Sequence, residues 1–516
     1  MHALPRLGLL FVLTAPVFAQ NDFALDKVTT GRLGTALQLR VLGAPSNAAM
    51  FVMLSQTGGP TPISLVDAND TRSVEVGLDL FPDWFFTFAD GLGAATPSIF
   101  VPNDIAFQGL TLHWQTFTFP GALTTIGQIS NDVVTQFGSS GSTTTAPSAL
   151  LVPRAFSTAF ANTQNSSGHK VVIAGGGGGT LTSSTGLATS ELFDFRELSV
   201  QPGPTMSSAR ALHQSVTLTD GRVLMIGGVD ALGAVLTSCE IYDPVANTFT
   251  PTGNLGTARA LHAAVRLADG RVMAAGGTSS MVDALTLVTN VRNSTEIYNP
   301  ATGTWSGSAN LGGFRLLPSL SLLPNNRVLV AGGLEVSFFF GIPVSAGTTA
   351  NCQTYNPATN SWAAAAALPG ARTGHQYNQV TLASGRILIT GGLAVAVNIA
   401  TQALTTTPLN NACYYDQPTN TWTSVAMANA RSLHSATLLP DGRVVVCGGA
   451  QGTIDLPIPL ADVEIFSPTT NSWSPSTALP TPRTAHNAQL LPDGSLALFG
   501  GQDAVATTNS ISLLRF

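Results

Sequence analysis

The residues best suited to chemistry in this chain recur at fixed spacing. His213, His262, His375, His434 and His486 each stand three residues after an arginine, namely Arg210, Arg259, Arg372, Arg431 and Arg483. Imidazoles are common metal ligands, but ligands must converge on one ion. These histidines fall one to a repeat at an equivalent position, so they lie on a ring, and the expectation is structural use with no metal and no cofactor. Arg154 and Arg315 extend the arginine series to seven members. Seven cations around one opening would focus potential and attract an anion. The competing expectation is that each guanidinium binds backbone carbonyls of a neighbouring repeat. Cys239, Cys352 and Cys413 share one position in three repeats and Cys447 lies on a buried strand. Equivalent positions in adjacent repeats are too far apart for a disulfide, so all four read as small buried hydrophobes.

The elements that position these residues repeat as a block. Glycine pairs occur at 175–176, 227–228, 276–277, 332–333, 391–392, 448–449 and 500–501, spaced 49 to 59 residues apart. In five of seven repeats the arginine lies 17 residues before the first glycine. Each repeat reads as four strands. In residues 210–251, Ala211 to Leu218 alternates, Thr219-Asp220-Gly221-Arg222 turns, and Val223 to Ile226 is apolar on both faces. Gly227-Gly228 ends that strand, and a variable loop leads to Cys239-Glu240-Ile241-Tyr242. Asp243-Pro244-Val245-Ala246-Asn247 then turns into a fourth strand carrying Phe249. Tryptophan holds that place at Trp305, Trp362, Trp422 and Trp473.

The pattern Arg-x-x-His, Asp-Gly-Arg-Val, Gly-Gly, Tyr-Asn-Pro-x-Thr-x-x-Trp resembles the kelch motif of β-propellers over residues 138–516, of the type seen in the galactose oxidase central domain and here in a secreted bacterial setting. The resemblance implies four-stranded blades around a channel, seven of them. The seventh repeat, 483–516, lacks an aromatic fourth strand, and residues 139–147 stand ready to supply it. In some kelch proteins the arginine position lines a peptide-binding mouth and contacts acidic side chains.

Residues 1–19 read as a signal peptide, with Arg6 before an apolar Leu7–Leu13 core and small residues ending at Ala19. The expected destination is outside the cell, at its surface or in a periplasm. Residues 20–137 alternate in short apolar runs split by Gly, Pro and Asn, which predicts a β-sandwich. The run Val101–Leu110 with Trp114-Gln115 and Ser130-Asn131 resembles a β-module of secreted bacterial proteins. The fold class is therefore all-β, a small sandwich before a seven-bladed propeller. Only 10% of residues are charged, the sole lysines are Lys27 and Lys170, and the net charge is −6, which weighs against a general nucleic-acid binder.

Strand alternation puts the seven arginines on the same face as the variable loops, opposite the uniform turns. Loop variation leaves room for function there. The longest loops, Thr278–Thr295, Leu334–Asn351 and Leu393–Ala412, are almost uncharged. Phe338-Phe339-Phe340 forms an aromatic cluster that is either a partner-binding patch or a plug over the channel. Arg431–Gly442 also resembles the blade of copper-radical oxidases that carries a Tyr-His pair. That resemblance implies tyrosinate and histidine on copper, with a second tyrosine cross-linked to cysteine. Here the residue before histidine is Leu212, Leu261, Gly374, Leu433 or Ala485, never tyrosine. Sialidase turns, nucleophile elbows and His-Glu-x-x-His are absent, and Gly175–Gly179 is a lengthened copy of the repeated glycine pair. The sequence thus points to a monomeric binding or scaffold protein for a protein or extracellular polysaccharide, with an acidic partner favoured by the arginines. A propeller enzyme is the alternative.

Overall fold

A computed structural model describes residues 23–516, apart from 64–71, 78–83, 120–125, 163–168, 180–183, 376–377, 399–400, 402 and 454–455. The signal-peptide expectation lies outside the described residues. The fold is all-β, built largely from four-stranded antiparallel sheets, and is consistent with a kelch-type propeller.

The first part of the chain holds a three-stranded sheet (Ala24–Lys27, Ala36–Leu42, Ser98–Phe100) and a four-stranded one (Trp84–Phe88, Ala49–Ser55, Thr111–Phe119, Val133–Gln136). Alternating residues Leu37, Leu39 and Val41 of the first sheet meet Met50, Val52 and Trp114 of the second in one buried core. A period of two places such residues on one face, which accounts for the shared core.

From Thr158 onward the four-strand unit repeats. In the second repeat Gln214–Thr217, Val223–Ile226, Cys239–Asp243 and Thr248–Thr252 pair in sequence order. The second strand is buried along its whole length, as its unbroken apolar run requires. Tyr242 faces Phe249 across the pair, and Tyr298–Trp305, Tyr355–Trp362, Tyr415–Trp422 and Phe466–Trp473 repeat the contact at 5.1–5.2 Å between ring centroids. These aromatics join the clusters between adjacent sheets.

The repeats are tied head to tail. The second glycine of each pair donates its N–H to the carbonyl of the next repeat's arginine at 2.8–3.0 Å: Gly176 to Arg210, Gly228 to Arg259, Gly277 to Arg315, Gly333 to Arg372, Gly392 to Arg431 and Gly449 to Arg483. Gly501 returns to Arg154, which closes the cycle. Both glycines are needed for this approach. Gly227 and Gly228 have φ of 55° and 96°, and a Cβ on either would collide with a backbone carbonyl, that of Arg259 or of Ala211.

Asn487–Leu490, Leu496–Phe499 and Ile511–Leu514 have Thr143–Thr145 as their fourth strand, with Thr144 opposite Leu513. The N-terminal sheets pack on this junction. The Lys27 ammonium lies 3.2 Å from the Asp493 carboxylate, both nearly inaccessible to solvent. Arg515 donates to the Gln136 carbonyl and the Thr144 hydroxyl, and Arg32 to the carbonyl of Phe516. Asp493 occupies the turn that elsewhere reads Asp-Gly-Arg. Asp220, Asp269 and Asp441 pair with their own exposed arginines, but residue 495 is serine. The vacated partner is replaced by Lys27 from the other sheet system.

Candidate functional site

The seven repeat arginines are not at a solvent-facing mouth. Their side chains are 0–1% exposed. Arg210 shows the arrangement: one terminal nitrogen donates to the carbonyls of Gly227 and Ser238, the other to Glu240 at 2.7 Å. Arg154, Arg259 and Arg431 do the same with Glu191, Glu296 and Glu464. Each carboxylate also accepts backbone N–H groups of the turn leading into the arginine, as Glu240 does from Ser207 and Ser208. Arg315, Arg372 and Arg483 keep the carbonyl contacts, but their third-strand residues are Gln353, Cys413 and Ser512. Burial without a close carboxylate pushes the Arg483 guanidinium down to about 10. The expected anion-attracting ring is thereby corrected: these donors are spent inside the protein. The carbonyls they bind belong to the arginine's own repeat, and it is the arginine backbone that ties the neighbouring one.

Four of the five repeat histidines are also internal ties, while both ring nitrogens of the buried His262 lack a hydrogen-bond partner. His213 Nε2 lies 3.1 Å from Thr158 Oγ1, His434 Nε2 2.8 Å from Thr390 Oγ1 and His486 Nε2 3.0 Å from Ser435 Oγ. His375 Nε2 lies 3.0 Å from the Ala331 carbonyl. Every partner belongs to the preceding repeat. Burial, then the adjacent arginine charge, holds His262, His375 and His486 down to about 3, so all are neutral.

The cysteines need one correction. Cys239 and Cys352 share a position, opposite Ile226 and Ala331. Cys413 lies opposite Ile389, one residue further on, at the place Glu240 takes in its repeat. All four thiols are buried and free, and burial pushes Cys239, Cys352 and Cys413 up to about 11 and Cys447 to about 12.

The second residue after each arginine rings the mouth instead. Phe156, Leu212, Leu261, Leu317, Gly374, Leu433 and Ala485 all adopt φ of 49–69°, a conformation costly for residues with a Cβ. Backbone bonds link several of them side by side: Leu212 N to Phe156 O, Phe156 N to Ala485 O and Ala485 N to Leu433 O. Among the described residues, one side of the ring is closed over. Leu334–Phe339 and Ile342–Thr348 form a hairpin that joins Leu393–Asn398 through Ala346 and Val397. Leu334, Val336, Leu393 and Val395 of this small sheet pack on Leu212, Leu261 and Leu317. The three-phenylalanine cluster therefore divides. Phe338 packs edge-on against Phe314, whereas Phe339 and Phe340 stand exposed at the hairpin tip. Phe156, Leu433 and Ala485 also border a cavity of about 140 Å³ whose lining includes Ser157, Ser435, Thr437 and Asn487.

Residues 431–480 match the kelch motif. Kelch domain-containing protein 1 of Homo sapiens is 34% identical over 102 residues, 18% of this chain and 24% of the human protein. The chain thus spans about a quarter of the length of that relative. Among solved structures, a fungal alcohol oxidase of the AA5 family in complex with copper superposes with a TM-score of 0.52 over 73% of this chain and 76% of its own, at 18% identity. That likeness is one of fold. The described residues at this mouth do not suit a tyrosinate-copper centre. Leucine, glycine or alanine precedes each repeat histidine, the imidazoles of His213, His375, His434 and His486 are engaged with neighbouring strands, and no cluster of three His, Cys, Asp or Glu occurs among the described residues.

Proposed function

We propose that this chain is an exported, non-catalytic binding protein, a small β-sandwich followed by a seven-bladed kelch-type propeller that recognises a partner over its loop face. Kelch repeats imply protein binding, and a protein is the partner class we favour; an extracellular polysaccharide is the other candidate. The observation that carries this reading is the fate of the recurring arginines and histidines. The seven arginines and four of the five histidines are consumed as internal ties, while the loop face differs from repeat to repeat. With no cationic ring there, the partner surface is neutral rather than acidic. The leader at 1–19 is the ground for export.

A copper-radical oxidase is the second reading, favoured by the fold shared with the alcohol oxidase. Against it, no tyrosine stands immediately before any of the repeat histidines. Oxygen-dependent peroxide release by the copper-treated protein would reverse the order of the two.

The binding reading is tested with a matched pair of surface thiols, since the four native cysteines are buried. Val505→Cys sits on the loop face and Val245→Cys on the turn face, both at exposed residues. Each is labelled with a photo-cross-linker and incubated with the extracellular fraction of the source cells. Capture of one defined partner from position 505 alone is expected. Equal capture from both positions, or none from 505, would refute a loop-face site.

A further inference from the structure

We propose that the rim of the loop face rests on a zwitterionic lipid bilayer. This goes beyond partner recognition in the mouth and stands whether or not the mouth is occupied. The observation is a regularity in the loops after the second strand. Six successive repeats each present an apolar side chain to solvent: Leu232, Val282, Phe340, Leu404, Leu456 and Val505. The loop of the first repeat, at 180–183, lies outside the described residues. Leu232, Phe340 and Val505 are more than 90% exposed, whereas single exposed apolar residues elsewhere need no explanation.

All six loops leave the second strand of their repeat, so they emerge on one side. The six tips belong to six different repeats, and none of them joins a hydrophobic cluster among the described residues. A groove-binding protein would want one joined apolar patch; a fluid planar surface accepts separated points. Two of the tips are held outward by the carboxylate beneath them. Asp230 accepts from the N–H groups of Leu232 and Ala234, and Asp503 from those of Val505 and Ala506.

Charge chooses between lipid classes. Anionic membranes are recognised by clustered lysine and arginine. Neither lysine of this chain lies in these loops, and the loop arginine Arg292 is bound to Ser279 Oγ. Apolar insertion without a basic patch fits a neutral interface. Phe339 and Ile342 flank Phe340 at the hairpin tip and are exposed with it, which makes the fourth repeat the deepest point of contact.

The test is co-flotation of the full chain with phosphatidylcholine vesicles, and with vesicles containing one-fifth phosphatidylserine, each at 0.1 M and 1 M NaCl. Binding to phosphatidylcholine is expected, unchanged by salt and no stronger with phosphatidylserine. The triple variant Phe340→Asp/Leu456→Asp/Val505→Asp should bind at least tenfold more weakly. Its melting temperature should match the parent's because all three side chains are exposed. Val245→Asp on the opposite face should bind as the parent does. Absence of flotation with phosphatidylcholine, flotation only with phosphatidylserine, or undiminished flotation of the triple variant would overturn the proposal. Capture of a protein through position 505 without any flotation would do so too, and would leave the binding function standing.

Discussion

The pair Lys27–Asp493 offers a comparison in which burial is the main variable. The same Asp-Gly turn occurs at Asp441, where the cation is Arg443 of the turn itself. Both pairs are close, 3.2 Å and 2.6 Å, but side-chain exposure is 5% and 3% in the first and 38% and 50% in the second. Lys27→Met keeps the aliphatic stem and removes the charge. It leaves a buried carboxylate opposed only by Ser495, which donates from its N–H and its hydroxyl. Breaking one side of a buried pair costs about 3–5 kcal/mol, whereas an exposed pair contributes about 0.2–1 kcal/mol. Lys27→Met should therefore lose about 3 kcal/mol in urea unfolding at pH 7, and Arg443→Met less than about 1 kcal/mol. Adding Asp493→Asn to Lys27→Met should recover most of the loss. The pH dependence has a definite sign. Although burial opposes it, the Lys27 charge and the Ser495 donors hold the Asp493 carboxyl below its ordinary range. In the parent its contribution is complete above about pH 4 and fades below that. In Lys27→Met only the Ser495 donors are left to oppose desolvation in direct contact, so the variant's deficit should shrink as pH falls from 7 to 4 and the carboxyl protonates. Equal losses from Lys27→Met and Arg443→Met would refute the reasoning.

Acid should weaken the whole ring. His262, His375 and His486 stay neutral down to about pH 3 when folded, while an unfolded histidine takes its proton near 6.5. Stability is thus level above about 6.5 and falls by about 1.4 kcal/mol per unit and per histidine below it, until about 3. A urea midpoint at pH 5 equal to that at pH 7 would contradict the buried neutral state. The arginine clamps can be edited in both directions. Glu240→Gln should cost about 3 kcal/mol by stranding the Arg210 charge, and Gln353→Glu, which supplies Arg315 with the missing carboxylate, should raise the melting temperature. A fall on Gln353→Glu would mean that the fourth repeat has no room for the clamp.

The repeat and its strands were legible because their causes are local. A glycine pair at fixed distance from an arginine marks a close backbone approach, and an unbroken apolar run such as Val223–Ile226 marks a doubly covered strand. The role of the arginines was harder to read, since a repeated cation suits a funnel or a clamp equally well. The informative signal was Glu191, Glu240, Glu296 and Glu464, which accompany four of the seven arginines on the third strand. Cys239 and Cys352 stand three residues before Tyr242 and Tyr355, but Cys413 stands only two before Tyr415, and that difference of one reverses the face of the strand it occupies. The lid over the mouth joins loops of two repeats through Ala346 and Val397, a pairing that no local pattern announces. Lys27 gave no sign of its partner either, though serine at 495 was a visible departure from the repeated Asp-Gly-Arg.

The strand Thr143–Thr145 has a consequence for how the chain is made. Thr144 and Arg515, which touch in the finished ring, are 371 residues apart. On a ribosome the early strand emerges long before Ile511–Leu514 exists, and it waits without its strand partner while the intervening sheets form behind it. The entropy of joining ends so distant grows only as the logarithm of the separation, so the closed ring loses little stability by it. Time is the larger burden, because pairings this non-local form slowly. Until the last strand arrives, two sheet edges remain open to other chains. A helper that shields Thr143–Thr145 during synthesis would meet the protein at its most vulnerable stage, and nascent chains truncated before residue 511 should be the ones that aggregate.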